Sequence, residues 1–492
     1  MEIFLSKKEK GIAYEKIFAI IMTICLMAST LCVTTFAAES TDDFVITVSA
    51  EKEDGTVVKL EDYTSFEAGW NFAMKKAKDN NYLNNNDYVR IVVDLLTDWE
   101  ADADGVFGDS DGEGFACSTI CIPEKARVML NMNGHTIDRG LEYHEWDGEV
   151  ICIYENADVI INDGTIKGGK SFNGAGGIHI KDKANVILIN VHIDGNSVRG
   201  DDGAAIAVYD GANLIMNGGS ISNNSMRAST SFFDIEVSPY GALYANESTV
   251  TLNNVTLSDN YTFDSAAEGV AIYATESTVA INKCIVSGNA VAKEGRYNAK
   301  SVIAGYDSKF IITDTDFTNN ASDGGDNCYG DSRLFYFEDS RLTMEGGKIT
   351  QNNPQELLYF EDSDADINKV TITDNASVVI YVDNDSDSEK VNMNECTLNK
   401  NASIDNAPDI QVETKGTLAM NNCAIGDTNF EDKGKVEGVG SLFGEGSLTN
   451  ILVIISLIAS GVAIFLVVYY NKKKVAPVAA NGATDTEADD EE

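Results

Sequence analysis

One adjacent acid pair stands where it could do chemistry: Asp201 and Asp202, in the stretch RGDDG at 199–203. Two carboxylates beside a glycosidic bond divide the work of general acid and general base, so the pair is a candidate catalytic site for polysaccharide cleavage. The overlapping Arg199-Gly200-Asp201 is also a tripeptide that some host receptors bind. Other reactive groups are scattered. His135, His144, His179 and His192 show neither HExxH nor zinc-type spacing. Two of the nine cysteines fall in the first forty residues, leaving Cys117, Cys121, Cys152, Cys284, Cys328, Cys396 and Cys423. An odd, dispersed set reads as buried thiols rather than a disulfide scaffold, with Cys117 and Cys121 open to local pairing. The acidic run EADADGVFGDSDGEG (100–114) lacks the spacing of a calcium loop and reads as a solvated turn.

What must position these groups is a repeat. Apolar residues recur at Ile137, Ile166, Ile193, Ile221, Leu257, Val286, Phe317, Ile349, Ile372, Leu398 and Ile425, at spacings of 23 to 36 residues. Seven and five residues before each anchor another apolar residue stands, without exception, in a chain that is 43% hydrophobic. The two alternate with their neighbours, which is strand periodicity. A further alternating piece precedes them, such as IHI (178–180), IAV (206–208) or FYF (335–337). Three short strands and no helix per repeat describe one turn of a parallel β-helix, whose coils bury their apolar faces only by stacking.

Stacking turns repeat positions into columns. Asn196, Asn224, Asn260, Asn289, Asn320, Asn352, Asn375 and Asn401 each lie three residues after an anchor. Their amides can hydrogen-bond coil to coil as a structural ladder, and asparagine tolerates the left-handed backbone of a sharp turn. The middle of the first strand carries Tyr244, Tyr273, Tyr336 and Tyr359, with Ala304 interrupting. These rings form an expected exposed strip, suited to stacking on sugars or simply to stabilising the sheet. Glu247, Glu276, Asp307, Asp339 and Asp362 share one position on consecutive coils. Stacked like charges call for solvent screening or cations, so weakly bound Ca²⁺ is the one cofactor the pattern admits, with modest stabilisation expected.

The motifs NMNGHTIDRGL (131–141), NDGTIKGG (162–169) and NGGSISNN (217–224) resemble the right-handed β-helix repeat proteins of bacterial cell surfaces, within the pectate-lyase-like superfamily; the resemblance covers roughly residues 88–430. It implies an all-β, right-handed, single-stranded parallel β-helix of about eleven coils, roughly 50 Å long at the strand spacing. The superfamily includes lyases, glycosidases and adhesins. Its pectin hydrolases imply NTD, DD, GHG and RIK segments on neighbouring coils; here Gly134-His135-Thr136 departs from GHG, no RIK occurs, and only the acid pair at 201–202 is present. Its lyases imply calcium ligands beside a basic residue, and Arg199 and Arg227 lack that surrounding set. The catalytic assignment is therefore open and leans towards none.

The remaining segments set the context. Residues 1–38, with Lys7, Lys8, Lys10 and Lys16 before an apolar run and small residues at Thr35, Ala37 and Ala38, read as a signal peptide. Residues 39–126 read as a small α/β cap: strands at FVITV (44–48) and YVRIVVDLL (88–96), and a helix entered through a capping box from Thr64 to Glu67. Its apolar face is Phe66, Trp70, Ala73, Met74 and Ala77. The β-helix is expected over 127–430, a Gly-rich stalk over 431–449 and a transmembrane helix over 450–471. The Lys472–Lys474 cluster then places an acidic cytoplasmic tail at 472–492. Phosphate binding needs clustered Lys and Arg, and with 36 basic against 78 acidic residues nucleic acid is not expected as a partner. The function expected is a membrane-anchored surface protein that binds an extracellular glycan or another surface protein. An anchored polysaccharide lyase or hydrolase is the alternative, and a passive stalk the third. Length variation falls between each asparagine and the next strand, so SVRGDDG (197–203) is expected as a solvent-facing connector.

Overall fold

A computed structural model describes residues 43–101, 119–172, 174–200, 202–227, 229–230, 236–237, 240–263, 267–290, 300–321, 332–384, 389–401, 410–413, 415–426, 430–432 and 435–437. The predicted signal peptide, transmembrane helix and tail, together with Asp201, Cys117 and Cys328, lie outside the described residues. Among the described residues no helix is long and apolar enough to cross a membrane.

The strands stack in parallel as the periodicity predicts. One face of the coil is a 12-stranded sheet running from Ile120–Ile122 to Phe430–Asp432. The strands carrying the apolar pair and those carrying the anchor join in a 25-stranded sheet that also takes in the N-terminal strands. Register follows the repeat: Leu214 and Met216 pair with Val250 and Leu252, and Ile221 with Leu257. The five-residue strands bury alternate side chains, as in Asn213–Asn217, Thr249–Asn253 and Thr278–Asn282, so each coil contributes its apolar pair and anchor to one interior. Phenylalanines fill that interior midway, where Phe337 meets Phe310 at 5.0 Å, Phe360 at 5.9 Å and Phe335 at 6.0 Å between ring centroids. Gly305 makes room for them: a Cβ there would stand 2.6 Å from Phe310 and 2.9 Å from Phe337.

Several local readings are corrected. In the first copy the paired strand is Arg127–Asn131, and it is Val128 and Leu130, not Leu130 and Met132, that align with Val159 and Ile161. The turn NMNGH is two residues longer than in later coils, which displaces the fixed spacing. The helix Phe66–Ala77 is capped by Ser65, whose hydroxyl accepts from the Ala68 amide, rather than by Thr64. Ser65 holds the extended backbone a cap requires and donates to Glu67. All five residues of the predicted apolar face are buried. The parallel ladder also begins earlier than 127: Tyr88–Leu95 pairs antiparallel with Ile46–Lys52 on one side and parallel with Arg127–Asn131 on the other. At the far end, Lys435–Glu437 still pairs in parallel with Thr417–Asn421.

Candidate functional site

The asparagine column is a continuous buried ladder. Each side-chain amide donates to the Oδ1 of the next, from Asn196 through Asn224, Asn260, Asn289, Asn320, Asn352 and Asn375 to Asn401, at 2.8–3.2 Å. Each Oδ1 from Asn224 onward also accepts the backbone N–H of the preceding ladder asparagine. The left-handed residue of this turn is not the asparagine but the one before it: Gly195, Asn223, Asp259, Gly288, Asn319, Gln351, Asp374 and Lys400 all have φ between 54° and 67°. That geometry turns the chain and leaves the asparagine pointing inward.

Two further ladders escaped the sequence reading. Ser248, Ser277, Ser308 and Ser340 each donate a backbone N–H to the hydroxyl of the serine one coil on, ending at Ser363. Four of these hydroxyls bond back to the carbonyl two residues earlier. Outside the coil, Asn131–Asn162, Asn217–Asn253–Asn282 and Asn368–Asn394–Asn421 form amide runs at strand ends. Small polar residues at a fixed repeat position were the available signal.

The tyrosines do stack, but the strip is not exposed. Tyr244, Tyr273 and Tyr359 keep less than a tenth of their surface, and Tyr336 is half-buried. Their middle position faces away from the coil interior, yet the connector residue Tyr240 folds across it, 4.2 Å from Tyr273 and 5.0 Å from Tyr244. The gap at Ala304 is filled by Tyr306, two residues on, at 5.3 Å from Tyr273 and 5.5 Å from Tyr336. The column continues to Tyr381, nearly parallel to Tyr359 at 4.8 Å. Arg333 lies over Tyr359 at 3.9 Å and pairs with Glu356 at 2.8 Å. The hydroxyls end on carboxylates: Tyr306 on Glu268, Tyr336 on Glu338 and Glu361. Burial, and then these anions, hold the Tyr306 and Tyr336 phenols well above their usual range. Rings this covered stabilise the sheet and leave little face free for a sugar.

The acidic column has a backbone cause. Glu247, Glu276, Asp307, Asp339 and Asp362 all occupy the left-handed region, φ 43–48°, at the corner leading into the serine ladder. Glu276, Asp307, Asp339 and Asp362 line an open groove together with Lys309 and Arg341, so cationic side chains stand among the anions. Among the described residues their carboxylates do not bring three ligand atoms within 4.8 Å of one another.

The described residues of the connector at 197–203 are buried or half-buried rather than solvent-facing. Ser197–Arg199 belongs to a 4-stranded sheet with Lys170–Ser171, Ser225–Arg227 and Tyr261–Thr262. Asp202 is buried and accepts the Gly174 amide from the preceding coil. A carboxylate used that way positions a loop, which leaves the acid pair without its second member as a free acid or base. The same small sheet assembles a surface the sequence reading left in pieces. Arg199 stands in register with Arg227, whose guanidinium lies 4.6 Å over Phe263. Phe172 contacts His144 at 5.6 Å and Trp146 at 5.7 Å. Trp146 and Tyr143 are 74% and 71% exposed. His144 bonds Ser197 Oγ at 3.0 Å, and burial, with Lys170, Arg199 and Arg227 nearby, lowers it from 6.5 to about 4.

Because the unfolded chain takes up this proton first, His144 contributes stability that is complete above about pH 6.5 and declines towards pH 4. His179, lowered to about 3 mainly by burial, acts in the same direction. Melting followed from pH 7 to 4 should show this decline, and His144→Asn should flatten it. A variant curve parallel to the native one would exclude His144 as its source.

The sequence matches the family described as Right handed beta helix region over residues 127–301 and 240–447. The chain belongs to the right-handed β-helix region family. The matched residues contain the connector sheet, the tyrosine column and the asparagine ladder. No curated protein and no solved structure matches the chain.

Proposed function

We propose that this β-helix is a membrane-anchored cell-surface binding protein whose ligand is an extracellular glycan carrying acidic sugars. The observation that carries the reading is the connector sheet: Arg199 and Arg227 stand in register, and Phe172, next to its Lys170–Ser171 strand, contacts the exposed ring of Trp146. Guanidinium groups bind carboxylates and exposed aromatic rings pack against sugar faces, so this edge combines both demands of an acidic glycan. The tyrosine column, covered in part by Tyr240, is the less accessible of the two surfaces.

A lyase reading draws on His144, a neutral imidazole among cations. A base with a pKa near 4 is a poor proton acceptor at neutral pH, so binding without turnover is the better account. Calorimetric titration with an oligogalacturonate, alongside assays for new reducing ends and unsaturated products, separates the readings. Trp146→Ala and Arg227→Ala should each weaken binding by about tenfold or more, on the order of 1.4 kcal/mol. Unchanged affinity in both variants would refute this site, turnover would support the lyase, and no binding at all the passive stalk.

A further inference from the structure

The column whose later coils carry tyrosines begins differently. Its first members are Cys121, Cys152 and His179, paired in register across three successive strands. Glu149 sits on the connector just before the Cys152 strand and turns into the same cluster. Ligand atoms of Glu149, Cys152 and His179 all lie within 4.8 Å of one another. Glu149 and Cys152 are buried, at 5% and 1% exposure, while His179 is half-buried.

We propose that Glu149, Cys152 and His179 form a transition-metal site of the zinc type, with one sulfur, one nitrogen and one oxygen ligand. Calcium and magnesium prefer all-oxygen shells, whereas this mixed set suits Zn²⁺ and its neighbours in the series. Three protein ligands leave the fourth tetrahedral position for water or a ligand. Charge closes as well: a thiolate, a carboxylate and a neutral imidazole exactly offset a divalent ion. Cysteine binds metal as the thiolate, so the Cys152 proton leaves as the ion enters.

The surroundings are shaped for the imidazole. Gly174 adopts φ +85°, and a Cβ there would stand 2.5 Å from His179 Nδ1. The Tyr209 ring packs against the imidazole at 5.3 Å between centroids. Lys181, 4.8 Å over the Tyr154 ring, interacts with both Cys152 and Glu149; its flexible ammonium must swing out as the ion enters. Cys121 and His179 are half-buried, so the cluster is not sealed from solvent. The site is separate from the connector sheet and does not depend on the glycan reading.

The test uses the folded full-length chain, reduced and metal-free, titrated with Co²⁺. Wild type should take up one equivalent with thiolate-to-cobalt charge-transfer absorption and tetrahedral d–d bands, and Zn²⁺ should displace it. Cys152→Ser should abolish the charge-transfer absorption. His179→Ala and Glu149→Gln should each weaken binding at least tenfold, while Cys284→Ser, a buried thiol elsewhere, should leave it unchanged. Absence of the thiolate band in folded wild type overturns the proposal without any variant. So does an undiminished band in Cys152→Ser, or a Cys121–Cys152 disulfide in the native protein.

Discussion

Asn320→Ala should be among the most damaging single substitutions in this chain, destabilising it by roughly 3–5 kcal/mol. The Asn320 amide donates to Val286 O at 2.8 Å and Asn352 Oδ1 at 3.0 Å, while its Oδ1 accepts from the Asn289 backbone at 3.1 Å and the Asn289 amide at 3.0 Å. Alanine removes all four bonds, leaving the buried Asn289 N–H without its acceptor and the Val286 carbonyl and the Asn289 and Asn352 side-chain amides each with one partner fewer. Each orphaned group costs about 1–3 kcal/mol, and partial relaxation brings the sum to the range given. The ladder is also shared, so the loss falls on three coils rather than one. Asn282→Ala provides the control. Its amide bonds Asn253 Oδ1 at 3.0 Å in the partly exposed outer run, where water replaces the lost partner, and about 1 kcal/mol or less is expected. Urea unfolding of both variants measures the difference. Equal losses would mean that burial of the inner ladder contributes nothing special.

Phe337→Ala should cost about 3–5 kcal/mol by a different route. The side chain is fully buried and touches Phe310, Phe335 and Phe360 from one position in the stack. Neighbouring coils are tied above and below by strand hydrogen bonds, so they cannot close over the space vacated. A cavity term therefore adds to the lost transfer energy. Ile285→Ala, at a position 48% exposed, should change stability by less than about 0.5 kcal/mol. Thermal melts of the two variants decide the matter, and a small shift for Phe337→Ala would show that the phenylalanine stack is loosely packed.

Much of the scaffold was legible because its determinants are local and repeated. An apolar residue with partners seven and five positions earlier marks the same wall in nearly every coil, and asparagine three positions later recurs because one amide geometry is reused. The reading failed where geometry depends on neighbours. Thr64 and Ser65 are equally good caps by type, and only the backbone entering the helix selects Ser65. The first copy slipped by two residues because a longer turn preserves the fold while breaking the spacing. Left-handed backbone was assigned to the ladder asparagines, whereas the residue before each one bears it, whatever its type.

The candidate sites show the division most clearly. By itself, the amino-acid sequence determined the stacked coil, its columns and the residues in each column, because those follow from periodicity and chemical type. Whether a column faces solvent was decided by connectors of irregular length. Tyr240 folds over Tyr244 and Tyr273, and the Gly174 amide claims Asp202. Neither contact has a periodic signature. Cys152 and His179 were likewise visible as a cysteine and a histidine 27 residues apart, a separation with no meaning along the chain. One turn of the coil brings that separation down to neighbouring strands, and only there do a thiol, an imidazole and a carboxylate become one site.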